Sequence, residues 1–167
     1  MRKILLPATL AAVALAAAGT ASALTAATTF GVSATVLKTC SVAANPLGFG
    51  NYTPAAGALT VNTTVNVKCT KSTPFTVALN GGSTAGGTIT QRLMTNGTDT
   101  LQYNLYTTAA FATLFGDGTT GSTMPGVGTG LATAVALTVF GSLPDNAANQ
   151  AVSTGAYADT INVTVTY

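Results

Sequence analysis

From residue 29 onward, apolar and polar side chains alternate along much of the chain. A period of two marks strands with one buried face. Over 29–36, Phe30, Val32, Ala34 and Val36 share one face, with Thr29, Gly31, Ser33 and Thr35 opposite. This predicts a half-buried strand, continued over 38–43 with Cys40 and Val42 in the same phase. Turn residues between 45 and 57 separate it from a longer run, 59–69, where Leu59, Val61, Thr63, Val65, Val67 and Cys69 lie on one side. A strand at 75–79 is bounded by Pro74 and by Asn80-Gly81-Gly82. Runs at 88–94 and 100–106 flank Asn96-Gly97, a strong hairpin signal. A Gly/Thr-rich loop over 116–130 precedes a strand at 133–140, and 141–153 reads as turn. In the final run, 157–167, Tyr157, Asp159, Ile161, Val163, Val165 and Tyr167 face one way. No helical period is sustained; 109–114 offers one turn at most. Six or seven strands at this spacing predict an all-β sandwich.

Two features of the pattern belong together. The last strand runs to Tyr167 with nothing after it, while an alternating segment precedes the domain. A sandwich whose last edge lacks a partner leaves main-chain groups unpaired and core side chains wet.

Composition sharpens this. Of 167 residues only 6% are charged, with no His, Glu or Trp. Arg2 and Lys3, the apolar run from Ile4 to Ala18, and the small residues up to Ala23 form a secretory signal, with cleavage expected between Ala23 and Leu24. The alternative, a membrane anchor, needs roughly 20 apolar residues; this run is shorter and contains Pro7. Without the signal, Lys38, Lys68, Lys71 and Arg92 balance Asp99, Asp117, Asp145 and Asp159. A neutral domain has no electrostatic attraction for nucleic acid and lets identical copies approach. Cys40 and Cys69, in an exported chain, are expected to form a disulfide, stabilising by about 3–4 kcal/mol.

Candidate chemistry is sparse. Absence of His excludes a hydroxyl–imidazole relay, and the isolated aspartates make no metal cluster. No cofactor or small-molecule substrate is expected, and the chain does not read as an enzyme. Asp159 is expected to hold a turn, Arg92 and Asp99 could pair across their hairpin, and Tyr103, Tyr106, Tyr157 and Tyr167 read as strand-packing residues before sugar-stacking ones. Gly116-x-Gly118 and Gly126-x-Gly128-x-Gly130 follow no strand-to-helix pattern.

Assembled in order, these segments resemble the spore coat U domain, the pilin domain of archaic (Csu-type) chaperone–usher pili, over 28–167. The resemblance is carried by Phe30-x-Val32-x-Ala34-x-Val36 ahead of Cys40-Ser41-Val42, by Leu47-Gly48-Phe49-Gly50-x-Tyr52, and by Val67-x-Cys69-Thr70. Val77-Ala78-Leu79-x-Gly81-Gly82, Arg92-x-Met94, Leu101-x-Tyr103-x-Leu105-Tyr106 and Val139-Phe140-Gly141-x-Leu143-Pro144 follow, then Gly155-x-Tyr157-x-Asp159-Thr160-x-x-Val163-x-Val165-x-Tyr167. It implies an incomplete immunoglobulin-like Greek-key sandwich completed by donor-strand exchange. It further implies a periplasmic chaperone, an outer-membrane usher and identical or related pilins as partners, and a surface pilus supporting adhesion and biofilm. Residues 1–23 are then signal, 24–37 a donor extension and 38–167 the pilin domain. Phe30, Val32, Ala34 and Val36 become donor side chains; the strand with Cys40 and the one with Tyr157, Ile161, Val163, Val165 and Tyr167 become edges of the receiving groove. The alternative function is a tip or minor adhesive subunit, or a secreted carbohydrate-binding sandwich.

Overall fold

A computed structural model describes residues 22–167. The expected signal segment lies outside the described residues except for its last two positions. The chain divides into two units, Met1–Thr35 and Val36–Tyr167. In the first, residues 22–35 hold no regular secondary structure and their side chains are exposed. The half-buried strand expected over 29–36 is therefore not formed: Phe30 is 87% exposed and Val36 84%. Alternation makes a segment fit for a sheet, but a lone strand has neither ladder nor apolar face to join.

The second unit contains eight strands, one or two more than the alternation suggested: β1 (Cys40–Ala44), β2 (Leu59–Cys69), β3 (Pro74–Leu79), β4 (Arg92–Thr95), β5 (Thr100–Tyr106), β6 (Met124–Val127), β7 (Val135–Leu143) and β8 (Val163–Thr166). They form an immunoglobulin-like sandwich of two antiparallel sheets, ordered β1-β2-β7-β5-β4 and β6-β3-β8. Between the sheets lie Val65, Val67, Phe75, Val77, Leu105, Phe115, Leu137 and Val139.

Two departures from the pattern have local causes. β6 sits inside the presumed Gly/Thr loop, where Pro125 and Gly126 read as breakers. An edge strand tolerates proline, and a Cβ at Gly126 would run into the Phe75 ring. A single helical turn, α1 (Ala147–Gln150), forms where only turn was expected, because the Asn146 side chain accepts the Asn149 N–H and caps it. Residues 109–114 contain a turn and no helix, with Phe111 at φ 54°.

Candidate functional site

β1 and β8 are each the last strand of their sheet. Within β1 the pairing is set by Thr70 N–H donating to Thr39 C=O and Asn45 N–H to Thr64 C=O, both 3.0 Å. Antiparallel ladders alternate, so the main-chain groups of Cys40, Val42 and Ala44 point away from β2. On β8, Asn80 N–H donates to Asn162 C=O at 3.3 Å. With Ala78 opposite Thr164, the same alternation turns the main-chain groups of Val163 and Val165 away from β3. Both edges present free donors and acceptors to the same opening.

The side chains agree. Val42 is in phase with Cys40, whose sulfur bonds Cys69, so Val42 faces the interior; yet it is 41% exposed. Val163 and Val165 pack on the core but are only half-buried. Between the edges runs a groove of about 480 Å³ floored by Val65, Leu79, Tyr103, Leu105 and Val139 and flanked by Ile161 and Val163. Past Leu47, Phe49, Met94 and Tyr157 it widens into a mouth of about 690 Å³ between residues 47–54 and 152–157. This is a slot in an apolar core, bordered on both long sides by unpaired strand edges. Its shape suits an extended segment.

Residues 26–164 match the family model described as the Spore Coat Protein U domain. The chain belongs to that family. Among solved structures, this spore coat U chain is similar to one in the crystal structure of the CsuC–CsuE chaperone–tip adhesion subunit pre-assembly complex from archaic chaperone-usher Csu pili of Acinetobacter baumannii. The identity is 26% and the TM-score 0.54, and the match covers 80% of this chain but only 40% of that one. No curated protein matches.

Around the groove of this spore coat U domain, buried polar groups fix its walls. The C-terminal run is not one strand: Ala158 bridges Thr95 on β4, in the five-stranded sheet, while Val163–Thr166 pairs with β3 in the other. Asp159 pins the crossing. It accepts the N–H groups of Ser83 and Thr84, both 2.9 Å, their hydroxyls, and the Tyr103 O–H at 2.7 Å. Burial disfavours its charge, but these donors outweigh that and lower its pKa. Burial and the Asp159 bond together raise the pKa of Tyr103. Beneath them Arg92 is fully buried, donating to the carbonyls of Asn80 (2.9 and 2.7 Å), Phe115 (2.7 Å) and Ile89 (3.4 Å). The hairpin ion pair considered for Arg92 and Asp99 is therefore not made. Arg92 is in the inward phase of β4, and Asp99 accepts the Ser153 N–H at 2.9 Å.

At the mouth, Tyr52 O–H donates to Asp145 at 2.5 Å, and Asp145 also accepts the N–H groups of Ala55 (3.1 Å) and Gly57 (2.8 Å). The Tyr52 hydrogen bond is the main cause holding the Asp145 pKa down to about 2, and burial with that bond pushes Tyr52 up to about 12. This latch holds the β1–β2 loop, whose Leu47 and Phe49 lean over Gly141; Phe49 meets the Tyr103 ring edge-on at 6.0 Å.

The structure brings Tyr157, Ile161 and Val163 together on the groove. Val165 continues the edge against the core. Tyr167, expected on the same edge, lies beyond β8 and is 54% exposed; the ladder with β3 ends one residue before it. Cys40 and Cys69 face each other and are disulfide-bonded, Cα atoms 4.1 Å apart, tying the short edge strand to β2. Ala23, Leu24 and the side chains of Phe30, Val32, Ala34 and Val36 are exposed and outside any strand. Sequence reasoning missed Leu47, Phe49 and the Tyr52–Asp145 latch as walls of the site. Their signals were the Leu47-Gly48-Phe49-Gly50-x-Tyr52 segment of the resemblance and its apolar pair, spaced by two among turn residues.

Proposed function

We propose that the chain is a structural pilin subunit of a chaperone–usher surface pilus, joined to its neighbours by strand exchange. Residues 28–36 of one copy lie as a strand in the groove of another, pairing with its free edges. The observation that carries this reading is the open seam: inward-facing Val42, Val163 and Val165 stand beside unpaired main chain over an apolar floor. Family membership and the likeness to a chain of the Csu chaperone–subunit complex support it. Burying Phe30, Val32 and Val36 contributes about 5–9 kcal/mol, before the ordering cost of the segment.

A periplasmic chaperone covers the seam before assembly, an outer-membrane usher presides over the exchange, and the product is displayed on the cell surface. The chain carries both a receiving groove and a segment fit to donate. A shaft position needs both, so the shaft reading is favoured over a tip one; support of adhesion and biofilm belongs to the assembled fibre. The reading assigns 1–23 to signal, 24–37 to donor extension and 38–167 to the domain.

Removal of residues 24–36 tests it. The truncated mature chain should still form a one-to-one complex with its chaperone and accept a donor, but should not extend a fibre. Phe30→Asp should likewise stop fibre growth while the Cys40–Cys69 bond still forms. Fibres that grow normally from either variant contradict the assignment.

A further inference from the structure

The few charges of the folded domain are sorted by end. β1 begins and β2 finishes at one end of the sandwich, where Lys38, Lys68 and Lys71 are all exposed. The register that sets Cys40 opposite Cys69 continues through the bonded pair Thr39 and Thr70. Just beyond that pair, Lys38 precedes Thr39 and Lys71 opens the turn that Thr73 N–H closes on Thr70 C=O, so both stand at this end. The other end carries Asp99, in the β4–β5 turn, and Asp145, just after β7. Arg92 and Asp159 lie between the ends, and Asp117 sits on the β5–β6 connection.

The wide mouth of the groove opens at the carboxylate end. Tyr52 lines it and donates to Asp145 at 2.5 Å; Ser153 lines it and donates its N–H to Asp99 at 2.9 Å. Hydrogen bonding lowers the pKa of both carboxyls, so both stay charged at neutral pH.

Spacing then links the two ends. Leu37 alone separates Val36 from Lys38. Wherever an inserted segment leaves the groove, its own Lys38 is held about two residues, or about 7 Å, from that mouth, with Lys71 at the same end of its domain. This is within the Debye length of about 8 Å at physiological salt. Departure at the carboxylate end sets Lys38 and Lys71 against Asp99 and Asp145. Departure at the other end sets lysines against lysines.

We infer that successive copies of this chain meet lysine end to carboxylate end, so that charge selects the direction in which the segment threads the groove. The selected direction is antiparallel to β8, which runs from the carboxylate end to the lysine end. This rests on the strand-exchange reading, and it names the partner face and the force that orients it. A domain of zero net charge thereby gains a directional self-contact without a field that keeps copies apart.

Fibre growth of the mature chain, followed by light scattering at about 20 mM and about 500 mM NaCl, tests it. Lys71→Asp alters the donor end. Thr98→Lys adds a cation at the acceptor end on an exposed side chain whose hydroxyl makes no hydrogen bond, leaving the Asp99 and Asp145 networks intact. Each single variant should slow growth about tenfold at low salt and much less at high salt. The double variant should recover to within about threefold of the parent. An intact Cys40–Cys69 bond reports that each variant has folded; if Lys71→Asp does not fold, Thr98→Lys and the salt series decide. Growth that needs residues 24–36 but ignores both reversals and salt overturns the charge inference and leaves strand exchange standing. Growth that continues without residues 24–36 overturns both.

Discussion

The interior and the open seam of this sandwich follow the same alternation and meet different fates. In the interior, Val67 of β2 and Val77 of β3, on strands with a neighbour on each side, face the opposite sheet and have no solvent exposure. On the seam, Val42 of β1 is equally inward in phase and remains 41% exposed. The residues are identical in kind; what differs is a neighbouring strand. Alternation thus specifies which face of a strand wants burial, while the supply of a covering strand is a property of topology. In this family a second copy is proposed to supply it.

Truncations to alanine should separate interior from seam. Phe75→Ala, on the central strand β3, should cost the isolated mature chain about 3–5 kcal/mol in urea unfolding. Val42→Ala should cost less than about 1 kcal/mol there, because its side chain is already partly in water; its defect should emerge in fibre stability. Similar losses for both in the isolated chain would erase the distinction. Next in size, Cys40→Ser with Cys69→Ser should lower stability by about 3–4 kcal/mol. It should also loosen β1, one edge of the seam, which is measurable as faster amide exchange at Ser41, Ala43 and Asn45, the positions turned toward β2. Asp159→Asn should cost about 1–2 kcal/mol, since it replaces a charged acceptor with an amide that turns donors toward the Ser83, Thr84 or Tyr103 donors. It should weaken the corner where the C-terminal run changes sheets.

The smallest expected effect is on pH. The Asp145 carboxyl is held at about 2 in the fold, below its ordinary value of about 4. The stability it contributes is complete above that ordinary value and is lost as pH falls toward 2. Thermal unfolding of the mature chain between about pH 5 and about pH 2 should show this slope. Asp145→Asn should flatten the part that belongs to the mouth loop; an unchanged slope would remove the latch from the account.

Strands with clean alternation were legible in the sequence: 59–69 became β2 without change, and Phe75, Val77 and Leu79 point inward as their phase requires. So was the inward phase of Tyr157, Ile161 and Val163. What was not legible depended on partners distant in sequence. β6 is a strand because β3 offers it an edge, despite Pro125 and Gly126. Arg92 reads as a surface cation, yet two carbonyls of the β3–β4 connection and one of the β5–β6 connection collect around it and make its burial tolerable. The final run looked continuous because alternation survives the change of sheet at Asp159. The mouth escaped notice because Leu47 and Phe49 are set by a loop, where no period operates.

Amide hydrogen exchange at Val42, Val163 and Val165, compared between the unassembled mature chain and its fibres, tests the open seam most directly. The account predicts rapid exchange at these three positions before assembly and strong protection afterwards, with residues 29–36 gaining protection in step and Val67 and Val77 protected throughout. Protection of the three in the unassembled chain, or its absence in fibres, would contradict it.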